Sequence, residues 1–199
     1  MKNCKGSDNM EKYIVCFMAK SGSGKSTIIE KLVEEYSDML CSVKSYSTRQ
    51  PRDEFDKLTH VFVEQDFYLK NQSKALLTYY NPEKNYFNWV DENSFSNDKV
   101  NLFAVDVKSY NELAKLQGYN VLGVFLDVDE EERKRRITKR GDDYLLEEWL
   151  DKSLIDKELL DDKKCIVINC NGSVDENIKL VRSAMRDTVR DFFFEYIHR

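Results

Sequence analysis

Residues 13–33, YIVCFMAKSGSGKSTIIEKLV, decide the fold. The opening run, Tyr13-Ile-Val-Cys-Phe-Met18, is continuously apolar, the pattern of a strand buried on both faces. After the central AKSGSGKST, the residues Ile28, Ile29, Leu32, Val33 and Tyr36 recur at helical spacing. Strand, tight loop and helix form the opening half of a βαβ unit. Glycines in such a loop let backbone N–H groups converge on phosphate oxygens, and the helix N-terminus adds the positive end of its dipole. Lys25 supplies charge for β- and γ-phosphates, and the Ser26 hydroxyl is a hard oxygen ligand for Mg²⁺ alongside water. The candidate ATP-binding residues are therefore Ser21, Gly22, Ser23, Gly24, Lys25, Ser26 and Thr27, with ATP and Mg²⁺ as the implied cofactors. The blander reading, a Ser/Gly-rich turn with an exposed lysine, does not explain the flanking strand and helix. Ala19 stands where such a loop ordinarily begins with glycine. Alanine is the next smallest residue and is strained only where φ must be positive, so the loop reads as functional.

The rest of the chain bounds what surrounds this loop. At 199 residues, 41% hydrophobic and 34% charged, it reads as one globular domain, or a core carrying an insertion. A net charge of -5 argues against general binding to nucleic acid or an anionic membrane. The five cysteines are irregularly spaced, and His60 and His198 are isolated, so free thiols are expected rather than zinc or a disulfide framework. The apolar run to Ala19 is too short for a membrane span or a signal-peptide core. A cytoplasmic protein is expected, as a monomer or homodimer, with no nucleic-acid or membrane partner.

Three further apolar runs read as parallel strands: Val100–Val105, Val121–Leu126 and Cys165–Ile168. Helical patterns separate or follow them over residues 111–117, 130–140 and 144–160, and a final helix starts at the capping-box signature Ser173-Val-Asp-Glu176. Strands alternating with helices mean an α/β domain built on a parallel sheet. Residues 43–98 break this rhythm. Short β-rich runs, Thr59–Val63, Leu76–Tyr80 and Tyr86–Val90, read as a small β-rich insertion, the last two as a hairpin around Asn81-Pro-Glu-Lys-Asn85.

Within that insertion, Ser45-Tyr-Ser-Thr-Arg-Gln-Pro-Arg52 sets two arginines three residues apart in a segment held open by Pro51. Two guanidinium forks suit one phosphate, although in isolation a solvated loop with two arginines reads as well. AKSGSGKST, followed by SYSTRQPR, the acidic Glu54 and HVFV, resembles the guanylate kinase family over about residues 13–160. The resemblance implies a P-loop NTPase three-layer core with a central parallel sheet (about 11–43 and 99–199), an insertion that binds a nucleoside monophosphate (about 44–98) and a helical lid (about 136–152). It also implies that Ser45, Arg49 and Arg52 grip the acceptor phosphate, that Glu54 is the family's glutamate in this acceptor loop, and that His60 stands where the family has a phosphate-binding tyrosine. The family reads guanine with a glutamate and a YG(S/T) segment. Here Thr78 aligns with the glutamate, and Phe87-Asn88-Trp89 with YG(S/T). The aromatics nearby fit base stacking or a small aromatic core. Asp106 ends the strand Asn101–Asp106 and is a candidate to face substrate or metal-bound water, while Ala104 replaces the first acid of the family's DxD.

The charge run Glu130–Gly141 places Arg136 and Arg140 four apart on one helix face, ahead of Gly141. It resembles the family's RxxxRG lid, in which arginines close over the transferring phosphoryl group; the family's third lid arginine aligns with Asp151, beside Lys152. Lys25, Arg49, Arg136 and Arg140 are the expected catalytic residues, and Ser45, Arg49, Arg52, Glu54, His60, Thr78, Phe87 and Asp106 the acceptor-binding ones. The function expected is ATP-dependent phosphoryl transfer to a nucleoside monophosphate, GMP or dGMP by resemblance. Another (deoxy)nucleotide or a phosphorylated sugar as acceptor, or a non-catalytic binding module, are the alternatives.

Overall fold

The computed structural model describes residues 11–51, 56–139, 141 and 165–197, without the side chains of Leu58 and 187–197. Five parallel strands make the central sheet, in the order β2-β7-β1-β8-β9. They are β1 (Lys12–Met18), β2 (Leu40–Ser42), β7 (Val100–Ala104), β8 (Tyr119–Asp127) and β9 (Cys165–Asn169). All seven residues of β1 are buried, as its unbroken apolar run predicts. On one face, α1 (Lys25–Glu35) and α6 (Val174–Ile197) set Ile28, Leu32, Ile178 and Val181 against Val15, Phe17, Leu102 and Val124. On the other, α4 (Val107–Leu113) sets Val107, Tyr110 and Leu113 against Ile14, Cys16, Phe103 and Phe125. The fully buried Tyr110 ring fits because β8 carries Gly123 beneath it; a Cβ there would lie 2.8 Å from the ring. Helices on both faces of a parallel sheet complete the predicted α/β three-layer core.

Caps fix where these helices begin. The Ser109 N–H donates to Asp106 Oδ1 at 2.7 Å, so α4 starts at Val107, four residues before the helix read from the apolar pattern. At α6 the Glu176 N–H donates to Ser173 Oγ (3.4 Å) and the Ser173 N–H to Glu176 Oε2 (2.8 Å), the reciprocal pair that the sequence foretells. The helix expected over 144–160 lies outside the described residues.

The insertion forms a second sheet, β4-β3-β6-β5. Its strands are β3 (Ser45–Ser47), β4 (His60–Phe62), β5 (Ala75–Asn81) and β6 (Tyr86–Asp91). The β5–β6 hairpin is the one predicted, with Asn85 at φ 46 and the Lys84 N–H donating to Asn81 Oδ1. The run read as a strand over 59–63 divides into α2 (Asp56–Thr59) and β4. The sequence pattern did not signal β2, β3 or α3 (Gln65–Asn71).

The two faces of this sheet meet different neighbours. Leu77 and Val90, paired across β5 and β6, pack with Phe95, Phe103, Val105 and Val107 of the core. The opposite face is covered by α3. There Trp89, 2% exposed, stacks on Tyr46 at 5.1 Å and meets the Tyr68 ring edge-on at 4.9 Å.

Candidate active site

The phosphate loop takes the shape that its glycines allow. Gly22 (φ 82) and Gly24 (φ 86) adopt left-handed conformations that a side chain would strain. Ala19 is buried in the core cluster and has no positive φ, so the absent glycine costs the loop nothing. Lys25 opens α1, with Ser26 and Thr27 exposed beside it at the helix N-terminus. Burial pulls the Lys25 ammonium down to about 8, against the opposing pull of the Asp106 carboxylate. A desolvated ammonium and an exposed hydroxyl at a helix N-terminus fit a magnesium-bound polyphosphate.

The back of the loop rests on α5 (Glu130–Lys139). A Cβ on Gly22 would lie 3.0 Å from both the Arg133 carbonyl and the Ile137 side chain, so glycine is what admits this approach. Arg136, read from sequence as an arginine over the transferring phosphoryl group, is fastened here to protein carbonyls. It donates to Ser23 O (3.2 Å), Cys170 O (2.8 Å) and Gly172 O (2.9 Å). Its Nε–H donates to Glu132 Oε1 at 2.7 Å. Glu132 also accepts from Arg135, and these bonds, Arg135's foremost, hold its carboxyl down at about 2. Gly141 ends the helix with φ 81 and an N–H bond to Thr138 O. Arg140, Asp151 and Lys152 lie outside the described residues.

On the acceptor side, Arg49 makes a two-pronged ion pair with Asp56, at 2.6 and 2.9 Å. The two side chains are 12% and 8% exposed, and the guanidinium lies over the Phe62 ring at 5.2 Å. Asp56 is a residue that the sequence pattern did not single out: the segment Asp53-Glu-Phe-Asp56 offers three acids, and no local signal marks the one that holds Arg49. Arg52 and Glu54 lie outside the described residues. The Ser47 side chain, fully buried, accepts the Arg49 backbone N–H at 3.4 Å. His60 pairs with Ser45 across β3 and β4, and its Nδ1 meets Thr59 Oγ1 at 2.8 Å.

Strand register then sorts the base-region residues. Residues directly opposite share a face, and neighbours along a strand alternate. Leu77 and Val90 face the core, and Tyr79 and Asn88, paired with each other, follow them on that face. Asn88 also pairs with Ser47, which brings Ser45 and His60 to the same side. Thr78 and Phe87 fall on the far side with Trp89. Thr78 is exposed there, and the Phe87 ring is stacked between Tyr68 (4.0 Å) and Tyr80 (4.6 Å). The structure thus brings Ser45, Arg49 and His60 to one side of the insertion and does not bring Thr78 or Phe87 with them. Asn88 joins that side, and its Oδ1 is buried without a hydrogen-bond partner. Asp106, at the end of β7, keeps one oxygen on the α4 cap and lies near Lys25.

The guanylate kinase family model matches residues 10–188. A guanylate kinase of Campylobacter jejuni (strain RM1221) is 26% identical over 144 residues, covering 69% of this chain and 70% of the relative. One of Wolbachia pipientis wMel is 28% identical over 182 residues, covering 88% and 90%. Among solved structures, a guanylate kinase from Anaplasma phagocytophilum shares the fold at TM-score 0.58 and 18% identity, covering 90% of this chain and 87% of that one. A gluconokinase from Sinorhizobium meliloti 1021 does so at TM-score 0.52 and 14% identity, covering 94% and 98%. No helix among the described residues is long and apolar enough to cross a membrane. With its phosphate loop, an arginine beside its second sheet and a family match over most of its length, this chain belongs to the guanylate kinase family and is a nucleoside monophosphate kinase.

Proposed function

We propose that the chain transfers the γ-phosphoryl group of ATP to a nucleoside monophosphate bound against the insertion, giving the diphosphate, as a cytoplasmic enzyme acting on soluble nucleotides. The observation that carries this reading is the loop with Gly22 and Gly24 left-handed and a desolvated Lys25 beside Asp106. When bound, ATP with Mg²⁺ supplies the phosphoryl group and part of the charge neutralisation. Lys25 and the loop N–H groups hold the donor phosphates, with Ser26 and water toward the metal. Ser45, Arg49, Arg52 and His60 hold the acceptor phosphate, and Asp56 keeps the Arg49 fork rigid. The acceptor phosphate is already a nucleophile, so the protein's task is alignment, charge neutralisation and exclusion of water. Arg136 acts from the back of the loop, bonded to Ser23 O, and the lid role at the transition state is Arg140's by the family resemblance.

GMP or dGMP is the default acceptor from the family. One observation favours a second reading, another (deoxy)nucleoside monophosphate. Guanine's N1–H and amino group are both donors that a carboxylate matches, whereas Tyr79 and Asn88 are the residues that β5 and β6 turn toward Ser47. A coupled assay of ADP release with each ribo- and deoxynucleoside monophosphate tests both readings. Release supported only by GMP or dGMP upholds the family default, release with another base upholds the second, and no release with any of them overturns the function.

A further inference from the structure

Arg133 has no part in the reading so far, yet its position is unusual. It sits on α5 three residues before Arg136, on the face that meets the phosphate loop. It is 3% exposed. Its Nη1 donates to Ser21 O at 3.3 Å, and its Nε is buried with no hydrogen-bond partner. Burial pulls its guanidinium below the ordinary arginine value, with Glu130 opposing. A buried cation with an unsatisfied donor costs free energy that an aliphatic side chain would not. Core packing therefore gives no reason for arginine here, since Ile137, one turn on, fills the adjoining space against Gly22 without polar atoms.

The Ser21 carbonyl supplies a reason. In a trans peptide the C=O and the following N–H point in opposite directions. Holding Ser21 O toward α5 turns the Gly22 N–H to the opposite side of the loop. Arg136 does the same one step along: its bond to Ser23 O turns the Gly24 N–H the same way. These two peptides lie at the two left-handed glycines, where the loop has most freedom to flip. A charge-assisted bond to a carbonyl also polarises the peptide and strengthens its N–H as a donor.

We infer that Arg133 is a positioning residue for the donor phosphates, locking the Ser21–Gly22 peptide from behind, in parallel with Arg136 at Ser23–Gly24, so that both glycine N–H groups face the polyphosphate. This rests on the loop binding ATP as proposed above. Arg133 touches no reacting atom; its effect passes through the Gly22 N–H.

The test is calorimetric titration of Mg-ATP, and separately of inorganic pyrophosphate, into the full chain carrying Arg133→Leu or Arg133→Lys. Arg133→Leu keeps the packing volume and removes the donor. Both dissociation constants are expected to rise about tenfold, with the acceptor KM unchanged and the melting temperature of the ligand-free protein held or raised. Arg133→Lys, which keeps a cationic donor, is expected to recover affinity to within about threefold of wild type. If Arg133→Leu fails to fold, Arg133→Gln carries the same expectation with a neutral donor and an intermediate loss. Wild-type affinity in a folded Arg133→Leu protein overturns the inference while leaving the proposed function standing. So does an equal loss at the donor and acceptor sites accompanied by a lowered melting temperature. Failure of the wild-type chain to bind Mg-ATP at all would instead remove the donor-site reading, and the brace with it.

Discussion

The phosphate loop and the second sheet, the two halves of the proposed site, differ in what holds their functional atoms in place. In the loop the proposed ligating groups are backbone N–H groups, beside two left-handed glycines and two carbonyls bonded to α5. In the sheet they are side chains, and a side chain reaches the ligand only from the correct face of a strand. A loop that works through its backbone tolerates Ala19. A sheet that works through side chains is remade by a shift of one residue.

Removing Lys25 should separate the halves most sharply. Lys25→Met is expected to lower kcat by about 10²- to 10³-fold, the scale of losing one positioned electrostatic group at a transition state. Binding of the acceptor alone, measured by titration, should hardly change. Arg49→Ala should fall next, with the acceptor KM up and kcat down by about 10- to 100-fold in total. Asp56→Asn should reproduce a smaller part of that loss, because it loosens the fork without removing it. Steady-state kinetics of both variants checks this order, and an Asp56→Asn enzyme indistinguishable from wild type would leave the ion pair without a role in alignment.

Two smaller effects test the face assignment. Asn88→Ala should change the ratio of kcat/KM among the acceptor nucleotides by about tenfold, since Asn88 lies on the side of Ser45 and Ser47. Phe87→Leu should leave that ratio alone and lower stability by about 1 kcal/mol, through its stacking with Tyr68 and Tyr80. The opposite pattern would return the acceptor contacts to the other face.

The pH dependence of donor binding is gentler still. Lys25 in the free protein titrates at about 8, and a bound polyphosphate favours its charged form. Below pH 8 the ammonium is already protonated and binding is at full strength. Above it, binding must take up a proton, so the dissociation constant for Mg-ATP should climb by up to about tenfold per pH unit. Glu132 acts at the other extreme. Its carboxyl is lowered from 4.5 to about 2, so its contribution to stability is complete above pH 4.5 and fades as the pH falls toward 2.

These contrasts also explain what could be read from the sequence. The strand Tyr13–Met18, the glycines and Lys25 carry local signals, and each appears where its pattern placed it. The β5–β6 hairpin was equally legible from its Asn-Pro turn. Its faces were not, because Thr78 and Phe87 alternate with Tyr79 and Asn88 in a run that is aromatic or polar on both sides, and only packing on the core fixes which side turns inward. Asp56 stood among three neighbouring acids that nothing local distinguishes. Arg133 was hidden in a charge run that reads as a solvated face; its spacing of three from Arg136 was the available clue.

The most direct measurement of the central claim follows a γ-phosphoryl label from ATP in a single turnover with a nucleoside monophosphate. Label is expected in the nucleoside diphosphate for the wild-type chain, with almost none for Lys25→Met, a strong reduction for Arg49→Ala and near wild-type transfer for Phe87→Leu. Label appearing only as inorganic phosphate, or no transfer to any monophosphate despite bound Mg-ATP, would contradict it.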